Sequence, residues 1–467
     1  MRLVVVAFIA VVSAGAPLAA AEYWVNHESG DDAWPGTQER PFKTFRHSLS
    51  VLRGGDALHL QKTRTPYAER FGEIPLRTRS RSLDGTPERP TVIDGHGARL
   101  CTLVRAPDSA WENVGGDVWR MRPGHNVVVM GGVGRYNGFP FVFLESAGVR
   151  RPFAPAADKA VLKPMEMYWC FRWNREGGGA PARDADYGNL YLRLPAGLTP
   201  RECDILVPHA GNMTVGADWV TVRNIDFSWS TADCIDTHRG RGIVFENVSA
   251  TDCLDQNISA HSTAGLTVRY SYFARALAGN VLDVSLGMNE PARAEYYGCV
   301  FGEGTGVRFK GLGTNCFYTV DSCVVRDQRR EAVGALRNVH VAVRNTVTPG
   351  CGFGVAVEET GVLEAERCDF TGADGAFMVW SKSPRAGQLV FRRCAFRRGQ
   401  KMIINGKTVT RAEAESFGVV FDGCSFDGPR PGAGSALAAV MPAAEWTKEN
   451  LRNHLEKQSA STKGDAK

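Results

Sequence analysis

Short segments in which apolar and polar residues alternate fill the chain from Trp219 onward, with glycine, asparagine and aspartate between them. Strand side chains point alternately to two faces, so this alternation predicts strands, whereas helices need apolar residues every three or four positions. Within the segments one phrase recurs: a polar residue, a small or sulfur-containing residue, any residue, and most often phenylalanine. It occurs as NIDF, YSYF, GCVF, SCVV, RCDF, RCAF and GCSF.

The phrase repeats every 22 to 30 residues. Its last position falls at Phe227, Ala250, Phe273, Phe301, Val325, Thr348, Phe370, Phe396 and Phe426. Short strands at such a period are typical of a β-solenoid, whose rungs stack about 4.8 Å apart. Equivalent residues of successive rungs then lie on one another, which predicts an internal stack of phenylalanines.

A second internal stack is predicted two positions before the first. It contains Cys299, Cys323, Cys368, Cys394 and Cys424. A buried cysteine packs as a small apolar residue, and in-register stacking gives poor disulfide geometry. We therefore expect thiols in this column.

The two ends of the chain have a different character. Residues 1–21, MRLVVVAFIAVVSAGAPLAAA, have an arginine, an apolar run and a small-residue end, which predicts a cleaved signal peptide and a secreted or periplasmic protein. The segment PFKTF and the following residues place Phe45, Leu49 and Leu52 at helical spacing. Together with PGT and GGDALHL, it resembles the start of many exported right-handed parallel β-helix proteins. That resemblance implies a helix that caps the open end of the solenoid.

The resulting fold prediction is an all-β, right-handed parallel β-helix with an N-terminal capping helix. After the signal peptide, residues 22–104 form the cap and first rungs, and 105–215 an inserted β-rich subdomain. Residues 216–435 form the rungs that carry the candidate site, and 436–467 a C-terminal helix and a disordered tail. In the insertion, the segment EMYWCFRWN contains Trp169 and three other aromatic residues. They either stack on a sugar or pack in the core of the subdomain.

Composition narrows the partners. The 467 residues carry a net charge of only +5, which is too weak and dispersed to indicate nucleic acid. After the first residues, no apolar run is long enough to cross a membrane. We therefore expect a monomer whose partner is a polysaccharide or oligosaccharide.

Ionisable residues concentrate in one stretch, TADCIDTHRGRGIVFENVSATDCLDQNISAH. Its two Asp-Cys-x-Asp tetrads begin at Asp233 and Asp252, 19 residues apart, so they are not equivalent positions of rungs that are 23 residues long. His238 and His261 are 23 residues apart and should stack.

The period also predicts which side chains face outward. Ile235, Ile258, Val281, Phe309 and Val333 are the predicted inward positions. The alternation then predicts two outward columns: Cys234, Asn257, Asn280 and Arg308 in one, and Asp236, Ser259, Leu282 and Lys310 in the other. Asp283 is predicted to point inward, which is costly unless it is paired.

These residues resemble the motifs of polygalacturonases, pectin-cleaving glycoside hydrolases with the same predicted fold. That family carries N-T-D, D-D, G-H-G and R-I-K on four successive rungs. Over about residues 219–315, this chain has TAD ending at Asp233, DQ at Asp255 and Gln256, GNV around Asn280, and RFK from Arg308 to Lys310. Gln256 replaces the second carboxylate, and Asn280 replaces the histidine.

The resemblance implies inverting hydrolysis of a glycan that contains uronic acids, with no cofactor required. Asp255 would be the acid and Asp233 a base, with Asp236, Asp252 and His261 as further catalytic candidates. Inverting carboxylates lie about 6.5–9.5 Å apart to admit a water molecule. The candidate substrate-binding residues are His238, Asn257, Asn280, Arg308 and Lys310, the last two for a uronate carboxylate.

Two alternatives remain at this point. A β-eliminating polysaccharide lyase would use Lys310 as its base and calcium, with Asp236, Asp252 and Asp283 as candidate ligands. Lys310 and Asp236 are three predicted rungs apart, about 14 Å, which weakens that hypothesis. The other alternative is a non-catalytic β-helix that binds glycans or a cell surface.

Overall fold

The computed structural model describes residues 20–71, 83–122, 141–146, 149–169, 188–277, 279–285, 292–311, 316–381, 388–429, 434–435, 437 and 446–464, and of residues 282–285 and 461–464 only the backbone. The signal-peptide prediction therefore falls almost entirely outside the described residues. At the C-terminus the helix runs to Gly464, so only residues 465–467 of the predicted tail lie outside them.

Two large sheets of stacked, almost entirely parallel strands form a right-handed parallel β-helix, as the repeat predicts. The sixteen-stranded sheet contains Glu22–Val25, Ala57–Leu60, Thr91–Cys101, Val220–Ser228, Arg241–Glu246, Ser249–Thr251, Ala264–Arg269, Tyr272–Ala274, Arg293–Tyr297, Val300–Phe301, Cys316–Asp321, Val324–Val325, Val339–Arg344, Val362–Glu366, Leu389–Arg392 and Val420–Asp422. The ten-stranded sheet contains Met213–Val215, Ile235–His238, Gln256–His261, Gly279–Ser285, Val307–Gly311, Glu331–Ala335, Phe353–Glu358, Gly375–Trp380, Lys401–Ile404 and Lys407–Thr408.

The predicted internal stacks are present. Phe273 lies on Phe301 with ring centroids 5.5 Å apart, and Phe370 lies on Phe396 at the same distance. The five cysteines of the second column are free thiols, as expected, and those from Cys299 to Cys394 are fully buried. Along these strands buried residues alternate with partly exposed ones, so the inward columns are the core of the solenoid.

The predicted insertion contains two small sheets, mostly antiparallel. One comprises Trp111–Gly115, Val118–Met121, Leu190–Arg193, Glu166–Trp169 and Ala154–Pro155, and the other Leu103–Arg105, Asp204–Pro208, Phe143–Ser146 and Val149–Pro152. They have an apolar core of their own, and Trp169 packs against it. Of the other three aromatic residues of that segment, Tyr168 lies on the same strand as Trp169, and Phe171 and Trp173 lie outside the described residues.

Short helices flank the solenoid. Phe45–Val51 begins at Thr44, whose side chain accepts a hydrogen bond from the His47 N–H, and Phe45 stacks on Tyr67. That this helix caps the solenoid stays a prediction.

Two further helices cover Arg411–Ser416 and Lys448–Gly464, and the latter packs Leu451 and Leu455 against valines of the sixteen-stranded sheet. Among the described residues, no helix is long and apolar enough to span a membrane.

Candidate active site

Two carboxylates meet where neighbouring turns enter the ten-stranded sheet. Asp233 lies two residues before the strand Ile235–His238, and Asp255 immediately before the strand Gln256–His261. The backbone N–H of Asp255 donates to the carbonyl of Ala232 at 3.2 Å, which fixes one turn on the other. Although the tetrads are not equivalent in the repeat, the stacking of the turns places the last aspartate of one beside the first of the other.

Gln256 links these two carboxylates. Its backbone N–H donates to Asp233 Oδ1 at 2.9 Å, and its side-chain amide donates to Asp255 Oδ1. A carboxylate at position 256 could not donate the second of these bonds. The residue that departs from the polygalacturonase pattern therefore has a structural role in orienting the pair.

Burial changes the acidity of both groups. It raises the pKa of Asp255 to about 7, with the amide of Gln256 acting in the opposite direction and the charge of Asp236 adding to the rise. Burial, followed by the charges of Asp255 and Asp236, raises the pKa of Asp233 well above its ordinary value. Two interacting carboxyls titrate as a unit, and this pair retains a proton near neutral pH.

Asp236 lies on the strand that follows, between the pair and two histidines. Its Oδ2 is 2.9 Å from His238 Nε2, and its Oδ1 is 3.7 Å from His261 Nε2. The two imidazole rings stack with centroids 4.6 Å apart, which confirms that His238 and His261 are equivalent positions. Burial lowers the pKa of His261.

A disulfide bond holds the two turns together. It joins Cys234, which follows Asp233, to Cys253, two residues before Asp255. The sequence placed Cys234 in an outward column with no partner. It is instead buried, because the turn brings the second cysteine of the duplicated tetrads within 5.7 Å, Cα to Cα.

Replacing both Cys234 and Cys253 by alanine is expected to lower the free energy of unfolding by about 3 kcal/mol, because the bond closes a loop of 19 residues in the unfolded chain. Urea denaturation followed by circular dichroism measures this loss. Wild-type protein under reductant should fall to the level of the variant. Equal stability with and without reductant would contradict the prediction.

The remaining acidic candidates do not join this group in the described structure. Both carboxylate oxygens of Asp252 accept hydrogen bonds from Arg275, at 2.7 and 2.8 Å. The backbone of Asp283 pairs with Ala260 and Phe309, an inward column as predicted, but its side chain lies outside the described residues. The candidate calcium ligands are thus engaged with other partners or not described.

Asn257 and Asn280 are fully buried, which corrects the prediction that they face outward. The amide of Asn257 donates to Asn280 Oδ1 at 2.8 Å, and the amide of Asn280 donates to the carbonyl of Gly302 at 2.9 Å. This ladder pairs the buried amide N–H groups near the start of two neighbouring strands, which the alternation of a strand does not anticipate. Both residues therefore support the turns from inside and do not contact solvent.

The register of Arg308 and Lys310 also differs from the prediction. Arg308 pairs with Leu282 and Lys310 with Val284, so Lys310 lies in the column of the two histidines. The reason is the length of a turn. Val307, the first inward position, comes six positions after Phe301, whereas the equivalent step in the preceding rungs is eight positions.

Arg308 is engaged away from the carboxylate pair. Its Nε donates to the fully buried Glu331 at 2.7 Å, and its guanidinium lies 3.6 Å from Glu358. Arg330 contacts the same two glutamates at 3.4 and 3.5 Å. These charges form one network on the ten-stranded sheet, between the carboxylate pair and the C-terminal rungs.

Beyond this network a groove opens that the sequence did not indicate. It has a volume of about 580 Å³ and is lined by Arg329, Arg330, Phe353, Glu358, Glu359, Met378 and Trp380. The side chain of Trp380 is 48% exposed, which is unusual for so large an aromatic residue. Five strand spacings, about 24 Å, separate its strand from that of His261. The sequence signal that could have indicated this groove is Trp380 itself, a large aromatic residue at an outward position near the end of a strand.

The inserted sheets reach the candidate site from the other side. Leu254, the residue before Asp255, is fully buried in their apolar core, and Trp229 packs against the same core. Phe143 of the insertion contacts the Trp229 ring edge-on, with centroids 4.8 Å apart. The insertion therefore buttresses the turn that carries Asp255.

Comparisons with known proteins identify the fold. No protein-family profile and no curated protein matches the sequence. Among solved structures, the chain is similar to XylC in complex with xylose, at 13% identity and a TM-score of 0.57, over 82% of this chain and 70% of the other. It is also similar to a glycoside hydrolase, at 12% identity and a TM-score of 0.53, over 90% and 100%. Such identities show the shared β-helix fold alone.

Proposed function

We propose that this protein hydrolyses glycosidic bonds of a polysaccharide, with inversion at the anomeric carbon. The observation that carries the proposal is the carboxylate pair Asp233 and Asp255, which Gln256 and a disulfide hold where two turns enter the ten-stranded sheet. The similarity of the fold to a glycoside hydrolase and to a protein bound to xylose supports a carbohydrate-active protein.

Inverting hydrolysis needs one carboxylic acid and one carboxylate at the same time. The acid protonates the leaving glycosidic oxygen, while the carboxylate removes a proton from the attacking water. A buried, interacting pair with raised pKa values supplies both forms near neutral pH. Because the protons of such a pair belong to the pair, either aspartate can be the acid in the starting state.

We propose a glycan that contains uronic acids as the substrate. Lys310 and Arg330 lie outward on the rungs that lead from the carboxylate pair to the groove, and Arg329 lines the groove. Arg329 and Arg330 lie 3.4 to 3.7 Å from glutamates. Lys310 is therefore the cation that we propose for contact with a carboxylate of an anionic chain along the solenoid axis. We also propose that the protein is exported and monomeric, as the sequence predicts.

Product analysis tests the reaction. Purified protein is incubated with a panel of polyuronates and neutral polysaccharides, and reducing ends and absorbance near 235 nm are both recorded. New reducing ends without that absorbance are expected. Absorbance from an unsaturated product would replace the proposal by the lyase that uses Lys310. Retained binding without cleavage on every glycan would replace it by a binding protein.

Replacing Trp380 by alanine is expected to raise KM about tenfold for long chains and to leave kcat unchanged. The reason is that its strand lies five strand spacings, about 24 Å, from the strand that follows Asp255, and the ring offers stacking alone. Short oligosaccharides should be cleaved as by the wild type. Steady-state kinetics on chains of graded length measure the difference. The control is Phe417→Ala, which removes another exposed aromatic residue outside the groove. Equal KM values for long chains in wild type and W380A would refute the role of the groove.

A further inference from the structure

Three side chains beside the carboxylate pair aim ligand atoms at one point. One carboxylate oxygen of Asp236 and one ring nitrogen each of His238 and His261 lie within 4.8 Å of one another. Asp236 and His238 are two positions apart on one strand, so they share its outer face, and His261 pairs with His238 on the next strand. The arrangement is therefore fixed by the backbone of the sheet.

Two atoms of this cluster have no hydrogen-bond partner among the described residues. They are Asp236 Oδ1 and His261 Nδ1, and both are buried. An unsatisfied buried carboxylate oxygen costs free energy, so it calls for a partner that the protein itself does not supply. Asp236 Oδ1 is the oxygen that faces His261 Nε2, at 3.7 Å.

The spacing of these atoms suits a tetrahedral metal ion. Ligand atoms held at zinc bond lengths of about 2.0–2.1 Å lie roughly 3.4 Å apart. His238 Nε2 lies 2.9 Å from Asp236 Oδ2 and His261 Nε2 lies 3.7 Å from Asp236 Oδ1, so each imidazole is near that spacing from one oxygen of the carboxylate. Imidazole nitrogens with one carboxylate oxygen favour zinc and its neighbours over calcium, which prefers oxygen ligands alone.

We propose that Asp236, His238 and His261 bind one divalent transition-metal ion of the zinc class. Three protein ligands leave a fourth position open to water or to a sugar oxygen. The hydroxyl of Ser259 lies 3.0 Å from His261 Nε2 and also hydrogen-bonds to Asp233. When the metal binds, the hydroxyl keeps only its bond to Asp233, and Nε2 is free to bind the ion. The site goes beyond the proposed hydrolysis and does not rest on it.

A second cluster in the described structure provides the contrast. His59, Asp94 and His96 also approach one another, on the sixteen-stranded sheet. There both oxygens of Asp94 are already taken, one by the Arg223 guanidinium at 2.6 Å and the other by Asn224 at 2.9 Å. A cation would have to displace the arginine, so this cluster is a matched negative control.

Cobalt binding tests the site without any substrate. Metal-free protein is titrated with Co²⁺, whose visible absorption between about 500 and 650 nm reports tetrahedral ligation by nitrogen and oxygen. One ion per chain is expected in the wild type and in the His59→Ala/His96→Ala variant. His238→Ala and His261→Ala should each weaken binding by more than about 100-fold, since a direct ligand is lost.

Other outcomes decide against the site. No tetrahedral band with the wild type, or an unchanged band in both His238→Ala and His261→Ala, would overturn the proposal. Loss of the band in His59→Ala/His96→Ala alone would assign the ion to the second cluster and also overturn it. Because Asp233→Asn keeps all three ligands, it should bind Co²⁺ as the wild type does, whether or not the protein cleaves glycans.

Discussion

Asp255→Asn is expected to reduce the rate of glycan cleavage about 10³-fold while the protein remains folded, because it removes one member of the acid and base pair. Asparagine has nearly the shape of aspartate, and the amide of Gln256 can still bond its oxygen. The loss should therefore appear in kcat, with little change in KM. Initial rates of reducing-end formation at saturating substrate measure it.

Asp233→Asn should cause a loss of similar size, and the double variant little more, since the two groups act as a unit. Asp226→Asn is the control, because its carboxylate is exposed on the sixteen-stranded sheet. Unchanged circular dichroism should accompany all variants. Wild-type rates in both Asp233→Asn and Asp255→Asn would remove this pair from the mechanism.

The same Asp255→Asn substitution is expected to stabilise the protein at alkaline pH, by up to about 4 kcal/mol. The pKa of Asp255 is about 7 in the folded protein and close to 4 in the unfolded chain. The folded state therefore holds a proton that the unfolded state has released. Stability that this proton provides is present in full below pH 4 and is lost as the pH rises through 7. Asparagine, which does not titrate, escapes that loss.

Urea denaturation from pH 4 to pH 8.5, with a chelator present to remove metal ions, measures the difference between variant and wild type. It should be small at pH 4, grow through the range and level off above pH 7. Asp226→Asn should follow the wild-type profile. A constant difference across the whole range would mean that Asp255 is not protonated in the folded protein near neutrality.

These two effects have one origin. A carboxyl that is buried without a full set of partners destabilises its charged form, and the same burial tunes it for proton transfer. Stability lost at Asp255 is offset elsewhere, by the disulfide beside it and by the insertion that packs on Leu254. Sites of catalysis are commonly places where a fold accepts such a cost.

Much of the architecture follows from the period of the sequence. The columns of phenylalanine and cysteine and the pairing of His238 with His261 were predicted correctly, because parallel rungs stack residues that are one repeat apart. The stacking of equivalent residues depends only on the length of the repeat, so it can be predicted from one sequence.

The tertiary structure alone decided what happens between the columns. The turn before Val307 is two residues shorter than the equivalent turns, so Arg308 lies in the column of Leu282 and not in that of Asn280. The alternation of apolar and polar residues does not show which part of a rung is shorter. The disulfide joins two turns, which obey no period. The amides of Asn257 and Asn280 do lie one repeat apart, but near the start of their strands, where the side chains are buried although the alternation predicts them outward. The bond from Gln256 to both carboxylates needs two turns in contact.

The sequence by itself thus determined the rungs and the stacked histidines. Only the folded turns decided that Asp233 and Asp255 interact and that Asp252 pairs with Arg275. The sheet places Asp236 beside two imidazoles. The physical reason is that strands repeat with a period set by the backbone, whereas contacts between turns depend on lengths and side chains that differ from rung to rung.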